Sequence, residues 1–346
     1  MSARRIFLDE APGEARGVVT LDDAPERLLI RRDDDDPRLV LGARLIAVAA
    51  GVEPQLSTAF LDLGQGAQAI LPFKPDSRPA RGEVLEVEIR GEPRRGKLAV
   101  ARVLGKGEGR PRLLQPAPAL ADTLRGLARD TELVTGRAAR EAADQAEAEA
   151  LEILHPLPGG GWLAVEPTRA LTAVDVDLGE RTGAEAKRVS RAANLAALGL
   201  CARLLRLKGL GGLVVIDLVG RGHDAAALMT AARAAFGPDN PGVSISPVGR
   251  FGTMEVSLPR RVRPLAEVLS RDDGTPSDRT LAQRLLRRLA AEAEADPGAR
   301  LTAVCAPQVA AQAQPFVPRL AERFGARIRL EADAASSRET LTVGAA

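Results

Sequence analysis

The chain has 346 residues, 45% of them hydrophobic, with 48 basic against 46 acidic side chains and a formal net charge of +2. That length exceeds what one hydrophobic core serves, so several domains are expected, and the near balance of charge excludes a uniformly basic or acidic protein. No run approaches 18 uninterrupted apolar residues, and Met1 to Glu10 lacks the charged-then-apolar order of a secretory signal, so a cytoplasmic protein without membrane association is expected.

Residues 4–32 alternate as strands broken at Pro12-Gly13 and Asp22-Asp23 and end before the acidic run Asp33 to Asp36. Between Arg38 and Val103 five short apolar runs (44–49, 57–63, 69–71, 84–89 and 98–103) are separated by Gly and Pro signals. Five strands over such a stretch predict a small barrel of the OB type. Gly105 to Pro118, rich in Gly, Pro and Arg, reads as a linker, and 119–150 carries helical spacing. A hairpin follows, turning at Pro158 to Gly161 into a strand from Trp162 to Glu166. Then come a strand at 172–176, a helix from Ala184 to Lys208, a strand at 213–218, a helix at 224–236 and strands at 243–246 and 253–257. That order predicts an α/β layer. After the loop Ser270 to Asp278, the pattern helix (279–295), strand (300–305), helix (316–324), strand (327–331) predicts a small α/β domain.

Cysteines Cys201 and Cys305 and histidines His155 and His223 are too scattered for a zinc knuckle, a disulfide framework or a histidine-based nucleophile, which leaves carboxylates to carry any catalysis. Asp175 and Asp217 end two apolar runs, Leu171 to Val174 and Leu213 to Ile216. A long crossover helix between them predicts parallel neighbouring strands, with both carboxylates at one edge of the sheet. Such a pair repels itself unless a cation neutralises it, and it suits Mg²⁺ bound by one or two Asp plus a substrate phosphate. Asp177 faces the same side if the strand continues. The plainer reading stays open, in which these residues only cap the following helices. The glycines at 209, 211 and 212 follow a helix and precede a strand, the wrong order for a phosphate loop, and read as a helix stop. Basic residues gather at 181–208 (Arg181, Lys187, Arg188, Arg191, Arg203, Arg206, Lys208, against Glu185) and again at Arg250, Arg260, Arg261 and Arg263. Each cluster suits either a polyanion or a solvated face. Phe60 and Lys97 in the barrel region fit an RNA surface, although an inward core position is the commoner state for such a Phe.

These segments resemble the ribonuclease E/G family. Glu166 to Asp177 (EPTRALTAVDVD) is similar to that family's E-x-T-x-A-L-T-x-I-D-(V/I)-N. Asn194-Leu195 with Leu205 to Asp217 (LRLKGLGGLVVID) resembles its N-L-E-A and Q-L-R-L-R-x-L-G-G-x-I-V-I-D, and Ile245-Ser246 with Arg250 to Val256 (RFGTMEV) resembles I-S and R-F-G-L-x-E-M. Ala59 to Gly64 (AFLDLG) and Gly96-Lys97 resemble its S1 domain. The resemblance implies an S1 (OB-type) barrel at 38–104 inserted near the N-terminus of an RNase H-like/DNase I-like α/β catalytic region. The RNase H-like part would take 1–37 and 119–170, joined by a linker at 105–118, and the DNase I-like part 171–270. A C-terminal small α/β domain would take 279–346. It implies a Mg²⁺-dependent endoribonuclease acting on single-stranded RNA, with Mn²⁺ as the alternative ion. Asp175 and Asp217 would be the metal ligands, Asp175, Asp177 and Asp217 the catalytic set, and Phe60, Lys97 and Arg250 the RNA contacts. Asp177 stands where the family has Asn, and Ile70 where it has a second aromatic, for which Phe73 is a substitute. No Cys-Pro-x-Cys link occurs in 263–278, so no zinc is expected, and a homodimer would form through the small domain. The family's 5′-sensor insertion has no counterpart between Leu104 and Val134, and Gly242 stands where an Arg of that pocket is expected, so preference for 5′-monophosphorylated ends is not expected. The alternative is an RNA-binding protein of the same fold with little or no cleavage.

Overall fold

The computed structural model describes residues 3–179, 186–238 and 240–345, so Arg181 and Glu185 of the first basic cluster and the start of its expected helix lie outside the described residues. Strands β1 (Arg4–Ala11), β2 (Glu14–Leu21) and β3 (Ala24–Arg32) form an antiparallel meander. Its second turn has Asp22 and Asp23 both at positive φ, the tight hairpin whose twist matches the strands.

The chain then builds a closed five-stranded barrel consistent with the OB type. Strands β4 (Arg44–Glu53), β5 (Thr58–Gly64), β6 (Ala67–Pro72), β7 (Val84–Gly91) and β8 (Ala99–Lys106) pair in the order β4-β5-β6-β8-β7 and back to β4, with only β6 and β8 parallel. Alternate residues fill it, among them Leu45, Ala47, Leu61, Leu63, Val87 and Ile89. The stretch expected to be a plain linker differs. β9 (Arg112–Gln115) pairs antiparallel with Arg44 to Ile46 of β4, because Leu113 packs on the barrel core.

Helix α1 (Leu120–Leu127), strand β10 (Leu133–Val134) and helix α2 (Arg137–Leu151) return to the first sheet, so the single helical stretch predicted there is two helices around a short strand. Leu120 and Leu124 cover Ile6, Leu8 and Val19 on one face. On the other face the small stripe Ala139, Ala143, Ala146 and Ala150 of α2 belongs to one core with Phe7, Val18 and Leu28.

The third layer carries the candidate site. Strands β11 (Leu154–Pro156), β12 (Trp162–Pro167), β13 (Thr172–Asp177), β14 (Gly212–Asp217), β15 (Ser244–Ile245) and β16 (Thr253–Leu258) form one sheet in the order β11-β12-β13-β14-β16-β15. The crossover helix α3 (Ala186–Lys208) makes β13 and β14 its one parallel pair. Val174, Val176, Val214, Ile216, Met254 and Val256 turn inward onto α3 and α4 (Ala225–Phe236), and the alternating positions of β12, β13 and β14 are exposed or half-exposed.

After α5 (Leu265–Leu269), the C-terminal unit comprises α6 (Asp278–Ala295), β17 (Leu301–Cys305), α7 (Pro307–Ala313), α8 (Val317–Phe324), β18 (Ile328–Ala332) and β19 (Leu341–Ala345), with sheet order β18-β17-β19. The periodicity missed α5, α7 and β19, which are short and too polar or too interrupted to show a pattern. A buried ionic network joins this unit to the N-terminal sheet. Glu14 holds Arg16 at 2.5 Å and Arg32 at 2.6 Å, Glu147 takes Arg16 and Arg284, and Arg287 reaches Asp9 at 2.8 Å. The barrel docks through its β7–β8 turn. The Glu92 carboxylate accepts the Arg263 N–H at 3.0 Å, and Arg95 pairs with Asp272 at 2.8 Å.

Candidate active site

Asp175 and Asp217 are direct cross-strand partners in the β13–β14 register, so both side chains leave the sheet on the same, solvent-facing side. Neighbouring strands lie about 4.8 Å apart, which brings the two carboxyl groups within reach of one ion. Strand register extends this row to Ala164 on β12 and Thr253 on β16. The next row holds Trp162 opposite Asp177, and the row on the other side holds Glu166, Ala173, Val215 and Glu255. Partial burial, followed by the charges of Asp217, Asp177 and Glu166, pushes the Asp175 carboxyl above the usual carboxylate range.

Asp177 shares the open face but spends one oxygen locally, since its Oδ1 accepts the Gly179 N–H at 2.8 Å. Gly161 crosses so close that a Cβ there would stand 2.2 Å from the Asp177 carbonyl oxygen, and only glycine is tolerated at that point.

The end of β14 is fixed from below. Asn194 on α3, buried, donates from Nδ2 to the Val219 carbonyl at 3.0 Å and accepts the Val219 N–H on Oδ1 at 3.1 Å. Arg191, one turn earlier on α3, pairs with Asp224 at 3.1 Å, and Asp224 caps α4 through the Ala227 N–H. Beside Asp217, the turn Gly249 to Gly252 lifts Arg250 and Phe251 into solvent, closed by the Gly252 N–H to the Gly249 carbonyl at 3.0 Å. The Leu218 N–H reaches the Gly252 carbonyl at 3.2 Å and ties this turn to the strand that bears Asp217. The Arg250 guanidinium lies 4.5 Å from the centre of the Phe251 ring. Glu255 is engaged by Ser246 Oγ at 2.7 Å.

Among the described residues no three His, Cys, Asp or Glu side chains gather as a metal-binding group. Asp175 and Asp217 therefore supply two carboxylates, a donor set that fits Mg²⁺ completed by water and phosphate oxygens.

On the barrel, Phe60 is 37% exposed on the outer face of β5, opposite Ile70 on β6, and Lys97 is exposed in the β7–β8 turn. Phe73, like Ile70, is half-buried, and it packs against the barrel core. Of the first basic cluster, Arg203 pairs with Glu149 at 2.6 Å, Arg206 with Glu26 at 2.9 Å, and Lys208 is buried on the Ala150 and Glu152 carbonyls, so these three hold the fold together. Arg260 and Arg261 donate to the Gly211 and Pro241 carbonyls. Gly209 takes positive φ directly after α3, as a helix stop requires, and Gly212 takes it at the start of β14. Sequence reasoning missed Trp162, Phe251, Asn194 and Glu255 as members of the site. The period-2 pattern of β12 was the available signal for Trp162, because it puts Trp162 on the face opposite Leu163 and Val165.

The ribonuclease E/G family model matches residues 123–261, the span that includes α2 and the whole six-stranded sheet. Ribonuclease E of Haemophilus influenzae is 35% identical over 147 residues, covering 40% of this chain and 16% of that protein. Ribonuclease E of Escherichia coli is likewise 35% identical over 147 residues, 40% of this chain and 14% of that protein. A chloroplastic ribonuclease E/G-like protein of Arabidopsis thaliana is 32% identical over 114 residues, 32% of this chain and 11% of that protein. The matched stretch thus spans about a seventh of the bacterial relatives' length. The part of the chain that matches the ribonuclease E/G family is thus residues 123–261, and it carries both members of the aspartate pair.

Proposed function

We propose that the protein is an endoribonuclease of RNA processing or decay, which cleaves single-stranded RNA at the open face of the six-stranded sheet. The observation that carries this reading is the register that sets Asp175 directly opposite Asp217 on an uncovered surface. Two like charges on adjacent strands disfavour each other by about 0.2–1 kcal/mol, and a bound cation removes that repulsion. Asp175 and Asp217 would hold Mg²⁺, or Mn²⁺ in its place, and the ion when bound would orient water and offset charge on the phosphodiester. Asp177 lies beside the pair and, with one oxygen on the Gly179 N–H, presents the other toward substrate. Arg250 faces the strand as a phosphate contact. Phe60 and Lys97 on the barrel offer stacking and charge to a flanking stretch of RNA. On this reading the first sheet with α1 and α2 is the RNase H-like part and 171–270 the DNase I-like part, the small α/β unit mediates dimerisation, and the protein works in the cytoplasm. No helix among the described residues is long and apolar enough to cross a membrane.

A second reading, an RNA binder with little cleavage, draws on the charge and local hydrogen bond of Asp177. Incubation of an AU-rich single-stranded oligonucleotide with Mg²⁺, using wild type and Asp175→Ala, separates the two. Cleavage by wild type that vanishes in the variant supports the nuclease. Equal binding without cleavage by either protein gives the case to the binder.

A further inference from the structure

Two large aromatic rings stand exposed near the aspartate pair, Trp162 on the open face of β12 and Phe251 on the turn that leads into β16 beside Asp217. Trp162 is the chain's single tryptophan, 48% exposed although it lies in a hydrogen-bonded strand, and its indole N–H has no partner among the described residues. An apolar ring left in water beside three carboxylates contributes nothing to the core that the inward Leu163 and Val165 build. Phe251 is 76% exposed at the tip of the Gly249–Gly252 turn, with its ring held by the Arg250 guanidinium. The order across the sheet is β12, β13, β14, β16. Trp162 sits opposite Asp177 on β13, and the Phe251 turn leads into Thr253, opposite Asp217 on β14. The strands that carry or adjoin the two rings are three strand spacings apart, about 14 Å, and the acidic pair lies between them.

We propose that Trp162 and Phe251 are base-stacking platforms that hold a single-stranded RNA across the aspartate pair. This inference rests on the nuclease reading and adds the residues that position the strand over the site. Aromatic faces accept any base, and stacking contributes about 1–3 kcal/mol per base. Arg250, on the Phe251 ring, offers its charge to a phosphate next to the stacked base. A protein partner fits this face less well. It would have to cover Asp175, Asp177, Asp217 and Glu166 together, and unpaired carboxylates are costly to desolvate, whereas RNA arrives with cations that neutralise them.

With one tryptophan and no tyrosine in the sequence, emission from the intact protein reports on Trp162 alone. A single-stranded oligoribonucleotide titrated in a chelating buffer, which prevents cleavage, should quench that emission to saturation, and a duplex of the same sequence should not. Trp162→Ala and Phe251→Ala should each weaken binding, followed by anisotropy of a labelled strand, by about fivefold or more, and Trp162→Phe should recover most of the loss. In Mg²⁺ the alanine variants should raise KM more than they lower kcat. RNA that binds without changing the emission, together with Trp162→Ala that binds and cleaves like wild type, would overturn the proposal while leaving cleavage dependent on Asp175 intact. An emission shift that follows protein concentration without RNA would overturn it in favour of a second copy covering this face. Absence of both RNA binding and cleavage in wild type overturns the platforms and the nuclease reading together.

Discussion

Asn194 clasps Val219 from both sides, giving its amide N–H to the carbonyl and taking the backbone N–H on its own oxygen, and so fixes where the chain turns after Asp217. Asn194 is buried and Val219 half-buried, and among the described residues no other hydrogen bond serves these two backbone groups. Asn194→Ala leaves both unsatisfied, at about 1–3 kcal/mol each, and frees the end of β14. The expected result is a lower urea midpoint and a loss of cleavage of about tenfold or more, larger than the stability loss explains, because a shift of about 1 Å at a catalytic group costs up to a hundredfold. Activity unchanged at a temperature where the variant remains folded would show that the clasp does not position Asp217.

The aspartate pair opposes folding until something neutralises it. Asp217→Asn should therefore raise the stability of the metal-free protein by about 0.2–1 kcal/mol while abolishing cleavage. Mg²⁺ should raise the melting temperature of wild type, since a ligand bound only by the folded state stabilises it, and should leave that of the variant unmoved. Urea denaturation in chelator and thermal melts with and without Mg²⁺ check both halves. A variant less stable than wild type in chelator would show that Asp217 has a structural partner rather than a repulsive one.

How much of this was legible in the sequence follows from which forces set each feature. The strand–helix–strand pattern around Asp175 and Asp217 predicted parallel neighbours, and β13 and β14 are parallel with these residues in register. Alternation of apolar residues also marked the barrel strands. What the pattern could not supply was the partner of each polar residue. Arg203, Arg206 and Lys208 look like an exposed basic stripe, yet each is bound by a group from 20 or more residues away, as Arg206 is by Glu26. Phe60 fitted either an RNA surface or the barrel core, and only the pairing of β5 with β4 and β6 shows which face it takes. Asn194 was visible as part of a motif, but its clasp on Val219 is a tertiary contact with no local trace.

The ionic network at the junction of the first sheet with α2 and α6 makes a separate prediction about stability. Glu147 sits between Arg16 and Arg284, and both burial, which opposes ionisation, and these two guanidinium groups act on it, with the cations prevailing so that its carboxyl stays below the usual range. Glu147→Ala would leave Arg16 buried with Glu14 as its remaining ion-pair partner, a change expected to cost about 3–5 kcal/mol. Denaturant unfolding followed by circular dichroism measures it. A loss under 1 kcal/mol would mean that water reaches Arg16 and that the junction is looser than the buried network implies.

Lys208 links stability to pH. Its ammonium is buried on the carbonyls of Ala150 and Glu152 at the end of α2, and burial, outweighing the attraction of Glu149 and Glu152, pulls its pKa from 10.5 down to about 8. The same burial, with the charge of Lys208 next in size, holds the His155 imidazole below the ordinary histidine range. In the unfolded chain Lys208 keeps its proton up to the ordinary value, so between pH 8 and 10.5 the unfolded state binds more protons than the folded one. Stability contributed by this group must then rise with pH across that window and be flat below it. Cys201, buried and pushed up to about 12, titrates with the opposite sign above its ordinary value of 9.0, so wild type alone would show a mixed curve. The difference between wild type and Lys208→Met removes the shared Cys201 contribution. That difference should move in favour of wild type by on the order of 2 kcal/mol between pH 7.5 and pH 10. Urea midpoints at the two pH values measure it, and a pH-independent difference would place the Lys208 ammonium in contact with water rather than sealed at the helix end.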